Sequence, residues 1–331
     1  MSAAPRVVML ERSRIARLVD LDDCIRVVEQ AFKLRGEGRA GPPAALGIHA
    51  EAGVFHVKAA LLDLGRPYFT AKANANFPGN PSAGLPTIQG VILLSDGRDG
   101  RALAVMDSTE ITMLRTAAAT AVAARYLARE DSSVVTICGC GVQGRAHLRA
   151  LRRVLPIERV FAYDRDSCRS DRFANDLSGE LGVEVLVASG LAAAARESDV
   201  CVTCTTSTEY LLERQDVRPG TFIGAVGADH AEKREIHPDL VAASTVVVDD
   251  LEQCAAIGDL HHALEAGTMT RSLVHADLAA VVASRAPGRR SREEITLFDS
   301  TGIALEDAAV AALVFERAQA EGGCLSFQLA D

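Results

Sequence analysis

The chain has 331 residues, of which 48% are hydrophobic and 24% charged, and its formal charge is −9. That length favours two domains over one, while an acidic balance with no basic block argues against holding a nucleic-acid backbone. No run of about eighteen apolar residues suggests a membrane span, and "MSAAPRVVMLERSRIARLVD" lacks the apolar core of an export signal, so a cytoplasmic protein is expected.

In chain order, "LVDLDDCIRVVEQAFKLRGEG" has apolar residues at helical spacing and a stop at Gly36, which predicts a helix over 12–36. Residues 45–106 read as strands and turns, in "GVFHVKAALL", "PYFTAKANANF" and "TIQGVILLSDGRDGRALAVMD". Asp96-Gly97 and Asp99-Gly100 mark a hairpin in the last of these. Asp107 followed by Glu110 fits a capping box ahead of the Ala-rich helix "MDSTEITMLRTAAATAVAARYLARED". From Val134 onward, strands at 134–138, 159–163, 183–187, 199–204, 221–226, 245–249 and 295–298 alternate with helical stretches. Such alternation implies parallel strands joined by right-handed crossovers, an α/β doubly wound sheet. The last segment, "ALEDAAVAALVFERAQAEGG", is helical and is expected to return to the N-terminal half. The eight cysteines are read as reduced and structural. Cys201 and Cys204 form one CxxC with no second pair, and adjacent His261 and His262 point different ways on a helix, so no metal is expected.

The stretch "TICGCGVQG" holds a GxGxxG after an apolar strand and before a helix. Gly139 allows the tight turn, Gly141 lets the backbone approach a pyrophosphate, and Gly144 lets the helix lie close to the strand. Exposed N–H groups and the helix dipole then attract phosphates. The next strand, "RVFAYD", ends in Asp164, placed to accept hydrogen bonds from ribose hydroxyls and to repel a 2′-phosphate. NAD is therefore expected over NADP, a preference tempered by Arg165 and Arg169.

Substrate groups are sought outside that loop. In "HVKAA", His56 and Lys58 share a strand face by period two. Lys72 precedes a polar loop expected to hold Asn74, Asn76, Asn80 and Thr87, and Arg115-Thr116 lies inside an otherwise apolar helix. Basic groups converging on a cleft suit a carboxylate substrate.

The segments "GLPTIQG", "MDSTEITMLRTAAATAVAARYLAR", "GCGVQG", "AVGADHAEKRE" and "FDSTGIALED" together resemble the ornithine cyclodeaminase/mu-crystallin family over nearly the whole chain. That family includes ornithine cyclodeaminases, alanine dehydrogenases, ketimine and iminosuccinate reductases and a thyroid-hormone-binding lens protein. The resemblance implies a homodimer with an α+β substrate-binding and dimerisation domain (1–118 and 306–331) and a Rossmann NAD(P)-binding domain (119–305). It implies that Lys72 and Arg115 hold the substrate carboxylate, with Lys58 and His56 beside them. Asp229 then exchanges protons at the amine, so Asp229 and Lys72 are the expected catalytic pair. It further implies that Thr87, Arg115, Thr116, Val142, Gln143, Thr205, Val226, Gly227, Lys233, Ser300 and Thr301 face the cofactor, with Gly139, Gly141, Gly144 and Asp164. Two departures matter. Ornithine cyclodeaminase has an Arg near the position of Ala45, and an acid at the position of His56. The pocket therefore suits a neutral or acidic side chain better than a cationic one. An NAD(P)-dependent reductase or dehydrogenase of a small amino or imino acid is expected, with a cyclodeaminase or a ligand-binding protein as alternatives.

Overall fold

The structure, a computed structural model, describes residues 6–329. In chain order, β1 (Arg6–Leu10) is followed by α1 (Arg12–Leu18), α2 (Leu21–Gly36), β2 (Ala44–Ala50), β3 (Gly53–Asp63), β4 (Pro67–Asn76), β5 (Ile88–Asp96), β6 (Ala102–Asp107) and α3 (Ser108–Leu127). Then come β7 (Val134–Cys138), α4 (Val142–Leu151), β8 (Arg159–Tyr163), α5 (Ser167–Leu181), β9 (Glu184–Val187), α6 (Leu191–Glu197) and β10 (Val200–Thr203). They are followed by β11 (Phe222–Ala225), α7 (Pro238–Ala242), β12 (Thr245–Val248), α8 (Leu251–Ile257), α9 (Asp259–Glu265), β13 (Ala276–Asp277), α10 (Leu278–Val282) and β14 (Thr296–Asp299). The chain closes with α11 (Ala304–Glu321) and β15 (Ser326–Gln328).

Two compact units result, one running to Arg115 and resuming at Ile303, the other Thr116–Gly302. The divisions fall at 115/116 and 302/303 rather than after 118 and before 306. The first lies inside α3, whose continuous Ala-rich sequence gives no local break to read.

The first unit is built on a seven-stranded sheet of order β15-β1-β6-β5-β4-β3-β2. Only β1 and β6 pair in parallel; the remaining neighbours are antiparallel. The apolar face of α11 packs on this sheet, where Tyr68 meets Phe315 edge-on and its hydroxyl donates to Glu316 at 2.8 Å. The single helix expected over 12–36 is two helices. Asp20 caps the second through its carboxylate, which accepts from the Asp23 N–H at 2.9 Å, and Val19 is extended. Asn74 and Asn76 belong to β4 rather than to a loop, because the β4–β5 ladder continues to Asn76↔Ile88. Of the expected capping box at α3, Asp107 does accept from Thr109 N at 2.9 Å, while the Glu110 carboxylate turns to Arg12 at 3.0 Å.

The second unit holds an eight-stranded sheet of order β13-β12-β14-β11-β10-β7-β8-β9, parallel at every pairing. This is a Rossmann-type doubly wound domain. The two-residue β13 is too short to leave a pattern in sequence. After β7 the order reverses, β8 lying on one side and β10 on the other, which makes the carboxyl end of β7 a topological switch point where ligands of such sheets bind. His147 on α4 secures the loop that follows: its Nδ1 donates to the Gln143 carbonyl at 2.8 Å, leaving Nε2 to accept from the Thr120 hydroxyl at 3.1 Å.

Candidate active site

The β7–α4 turn is shaped by its glycines. Gly139 has φ +104°, and a Cβ there would meet the Cys204 carbonyl oxygen at 2.8 Å. A Cβ on Gly144 would stand 2.0 Å from the Gly139 carbonyl oxygen, so only glycine lets α4 lie this close to β7. A Cβ on Gly141 would meet no protein atom within 4 Å, and Gly141 lines a cavity of about 370 Å³. Val142, Gln143, Asp164, Arg165, Arg169 and Thr205 line the same cavity. Gly141 caps α4 without a side-chain bond to the first-turn N–H groups, which remain available to an anion. The Gln143 side-chain oxygen is buried with no partner. The Asp164 carboxylate is oriented at the rim by the N–H groups of Cys140 at 2.9 Å and Asp166 at 3.0 Å. Its remaining lone pairs can accept from a ribose diol. The turn, the open helix end and the acid together fit a dinucleotide.

Other residues expected to face the cofactor lie elsewhere in this unit. Thr116 is on α3, and Val226 and Gly227 follow β11. Ser300 and Thr301 donate to the Asp249 carboxylate at 3.2 and 3.1 Å, and the Gly302 N–H reaches it at 2.6 Å. The loop after β11 carries Asp229, half exposed and in an ion pair with Lys233. The Lys233 carbonyl accepts from His262 Nε2 at 2.8 Å. His261 Nδ1 donates to the Ala255 carbonyl at 3.2 Å, capping the end of α8. The two histidines brace loops within this unit.

Sequence reasoning missed the acids beneath that loop. Glu235 is fully buried and accepts from Thr205 N at 2.6 Å, Thr205 Oγ1 at 2.7 Å and Gly227 N at 2.9 Å. Asp259 Oδ1 accepts from the N–H groups of Glu235 and Ile236 at 2.8 and 2.9 Å. Asp299 in turn accepts from Leu260 N at 2.9 Å. Burial pushes Asp259 up to about 7, the Glu235 charge adding to it, and burial also raises Glu235 against the bonds from Thr205.

In the first unit, the register places Ala45, Lys58, Lys72 and Ile92 in one cross-strand row, with His56 opposite Asn74 one step along the same face. Lys72 and Arg115 are 3% and 5% exposed. Lys72 Nζ lies 2.8 and 2.7 Å from the two Asp307 oxygens. Arg115 reaches Glu306 at 2.6 Å through Nη1 and Asp307 at 3.1 Å through Nε. Arg115 is thus a buried member of an ion-pair cluster, not a cation reaching for solvent. Burial drives the Lys72 ammonium down to about 7, and Arg115 and Lys58 push the same way while Asp307 opposes them. Burial pushes Asp307 up, but Lys72 and Arg115 outweigh it and hold it below the usual carboxylate range. The lysine is therefore the member whose proton is in play near neutrality. The Asn74 side-chain oxygen on this face is buried without a protein partner and is able to accept from a donor on a small ligand. Thr87 ends the turn before β5, and its carbonyl accepts from Phe77 N at 2.9 Å. The acids Glu306 and Asp307 were also missed. Their only signal was an adjacent acid pair opening an apolar helix.

A dinucleotide loop on one unit and a buried, titratable cation cluster on another define the class of two-domain nucleotide-dependent proteins. The family is set by direct comparison: residues 6–322 match the model of the ornithine cyclodeaminase/mu-crystallin family, and the chain belongs to it. An archaeal alanine dehydrogenase dimer with bound NAD superposes at a TM-score of 0.94, with 37% identity over 98% of this chain and 100% of that one. The Δ1-pyrroline-2-carboxylate reductase of Thermococcus litoralis, solved with NADH and L-proline, gives 0.93, with 34% identity over 96% and 99%. The iminosuccinate reductase of Paracoccus denitrificans, solved with NAD+, gives 0.90, with 31% identity over 98% and 100%. No helix among the described residues is long and apolar enough to cross a membrane.

Proposed function

We propose that the chain is an NAD-dependent oxidoreductase acting on the C=N or CH–NH2 group of a small imino or amino acid, and that it works as a homodimer. The observation that carries this reading is the buried Lys72–Arg115–Glu306–Asp307 cluster in a chain that also bears a dinucleotide loop.

When bound, the nicotinamide supplies or takes the hydride at Cα. The protein's own groups do the rest. Gly139, Gly141, Gly144 and the α4 N-terminus hold the pyrophosphate, and Asp164 takes the ribose hydroxyls, which favours NAD. Arg115 and Lys72 bind the substrate carboxylate, and the acids behind them keep both cations in place without an uncompensated buried charge. Asp229 gives the imine nitrogen its proton in reduction and removes one from the ammonium in oxidation. Lys72 is poised near neutrality for the same work. His56 stands at the position where a diamino acid would need an anion, and Lys58 adds a cation on the same strand face. This favours net redox chemistry over cyclodeamination.

The face of the seven-stranded sheet opposite Lys72 exposes Leu46, Ile48, Phe55, Leu61, Val91 and Leu93. A contiguous apolar face of that kind suits a subunit interface, and the archaeal neighbour is described as a dimer.

The test is nicotinamide absorbance on mixing the protein and NADH with a panel of 2-oxo acids plus ammonium or methylamine. Consumption of NADH that requires both partners is the expected result. Ammonia release from a diamino acid with no net change in NADH would replace this reading with a cyclodeaminase.

A further inference from the structure

Asp229 sits on an excursion of the chain after β11, between Gly227 and Glu235. The neck of that excursion is closed by one carboxylate. Glu235 Oε2 accepts from Gly227 N at 2.9 Å, while Oε1 takes Thr205 N and Thr205 Oγ1 at 2.6 and 2.7 Å. The contact is built in from both sides. A Cβ on Gly227 would lie 2.4 Å from the Glu235 carboxylate, so glycine is what lets the backbone N–H reach it. The Glu235 backbone is itself held, its N–H by Asp259 Oδ1 at 2.8 Å and its carbonyl by Leu211 N at 2.7 Å. Thr205 lines the dinucleotide cavity, and Asp229 stands two residues beyond Gly227.

From this arrangement we propose that Glu235 is a positioning residue for the reaction: its buried carboxylate locks the Asp229 loop to the Thr205 rim of the cofactor cavity, so that the proton-transfer group is held in one place relative to the nicotinamide end. This rests on Asp229 having the role assigned above. Three charge-assisted bonds from two loops, made to a fully buried carboxylate, leave it one low-energy orientation. Reaction rates fall by about 100-fold for misplacements near 1 Å, so a loop pinned at its neck has kinetic consequences that its small size would not suggest.

The experiment compares wild type with Glu235→Gln and Glu235→Asp. Glutamine keeps the shape but sets an amide N–H against either the Gly227 or the Thr205 N–H. Aspartate keeps the charge on a shorter arm. Four quantities are read: kcat per folded site, Kd for NADH, melting temperature, and amide hydrogen exchange at Thr205 and Gly227. The proposal expects kcat to drop by about 10- to 100-fold in Glu235→Gln. NADH affinity should stay within about three-fold, and exchange protection should be lost at Gly227 or at Thr205, with partial recovery of kcat in Glu235→Asp. A lowered melting temperature with unchanged kcat per folded site makes Glu235 merely structural and overturns the proposal. Protection retained at both Gly227 and Thr205 in Glu235→Gln overturns it as well. Should wild type turn over no carbonyl–amine pair, the reading of the reaction fails on its own. The exchange pattern at Gly227 and Thr205 then still decides whether Glu235 fixes the loop.

Discussion

At the scale of single residues, the account turns on which groups hold protons. Lys72 is pressed down to about 7 by burial and by Arg115 and Lys58. In the reductive direction the protonated lysine is the useful form, for binding the carboxylate and for supplying acid. The kcat/KM for the imine should therefore fall as pH rises through about 7, since carboxylate binding and proton supply both lose the charged lysine. Lys72→Arg keeps the charge but cannot titrate there. Its profile should lose the bend near neutrality, with a rate about 100-fold lower from the altered geometry. Asp229→Asn should lower kcat by about 100- to 1,000-fold while NADH binding, measured by nicotinamide fluorescence, stays near wild type. These residues differ in how far sequence alone revealed them. Lys72, Arg115 and Asp229 stood out through a resemblance. Their partners did not, because Glu306 and Asp307 are more than 190 positions away from Arg115 in sequence, and nothing local says that two acids opening a helix are buried against it. Glu235 was visible only as one more charge in a polar run.

At the scale of elements, the β7–α4 unit was the most legible part of the molecule. Its signal is local: an apolar run, three spaced glycines and an acid at the end of the next strand. The two outer demands of that turn can be separated experimentally. Gly144→Ala must push α4 away from β7, since its Cβ would sit 2.0 Å from the Gly139 oxygen. Overpacking of this kind costs about 1–3 kcal/mol, or a fall in melting temperature of about 2–4 °C for each kcal/mol. Gly141→Ala meets no protein atom. Its melting temperature without cofactor should match wild type, while its Kd for NADH should rise by about ten-fold or more, since the methyl takes the space of a close backbone–phosphate approach. Calorimetry without cofactor and titration with NADH together decide both. Less legible were boundaries set by single side chains. The apolar spacing of α1 and α2 runs on through Val19, and only the Asp20 carboxylate, bound to Asp23 N, breaks the helix there. Asn74 and Asn76 read as loop residues because asparagine is poor in strands, yet the long antiparallel ladder carries them along, with Asn74 on the same face as Lys72.

At the scale of the whole molecule, the assembly is the feature the single chain leaves exposed. The outward row of Leu46, Ile48, Phe55, Leu61, Val91 and Leu93 places large apolar groups on one sheet face. Replacing Val91 and Leu93 together by Asp should convert the proposed dimer to monomer in light scattering, because two charges in the core of an apolar interface would lose their hydration without partners. An unchanged dimer would move the interface elsewhere. The central claim concerns chemistry, namely that a hydride passes between the cofactor and the Cα of a carboxylate-bearing substrate. It is tested most directly by running the reaction with NADH deuterated at the transferable C4 position and examining the amino-acid product by mass spectrometry and NMR. The account predicts one deuterium at Cα, with NADH consumed in equal amount. An unlabelled product, or ammonia released while the labelled NADH remains whole, would contradict it.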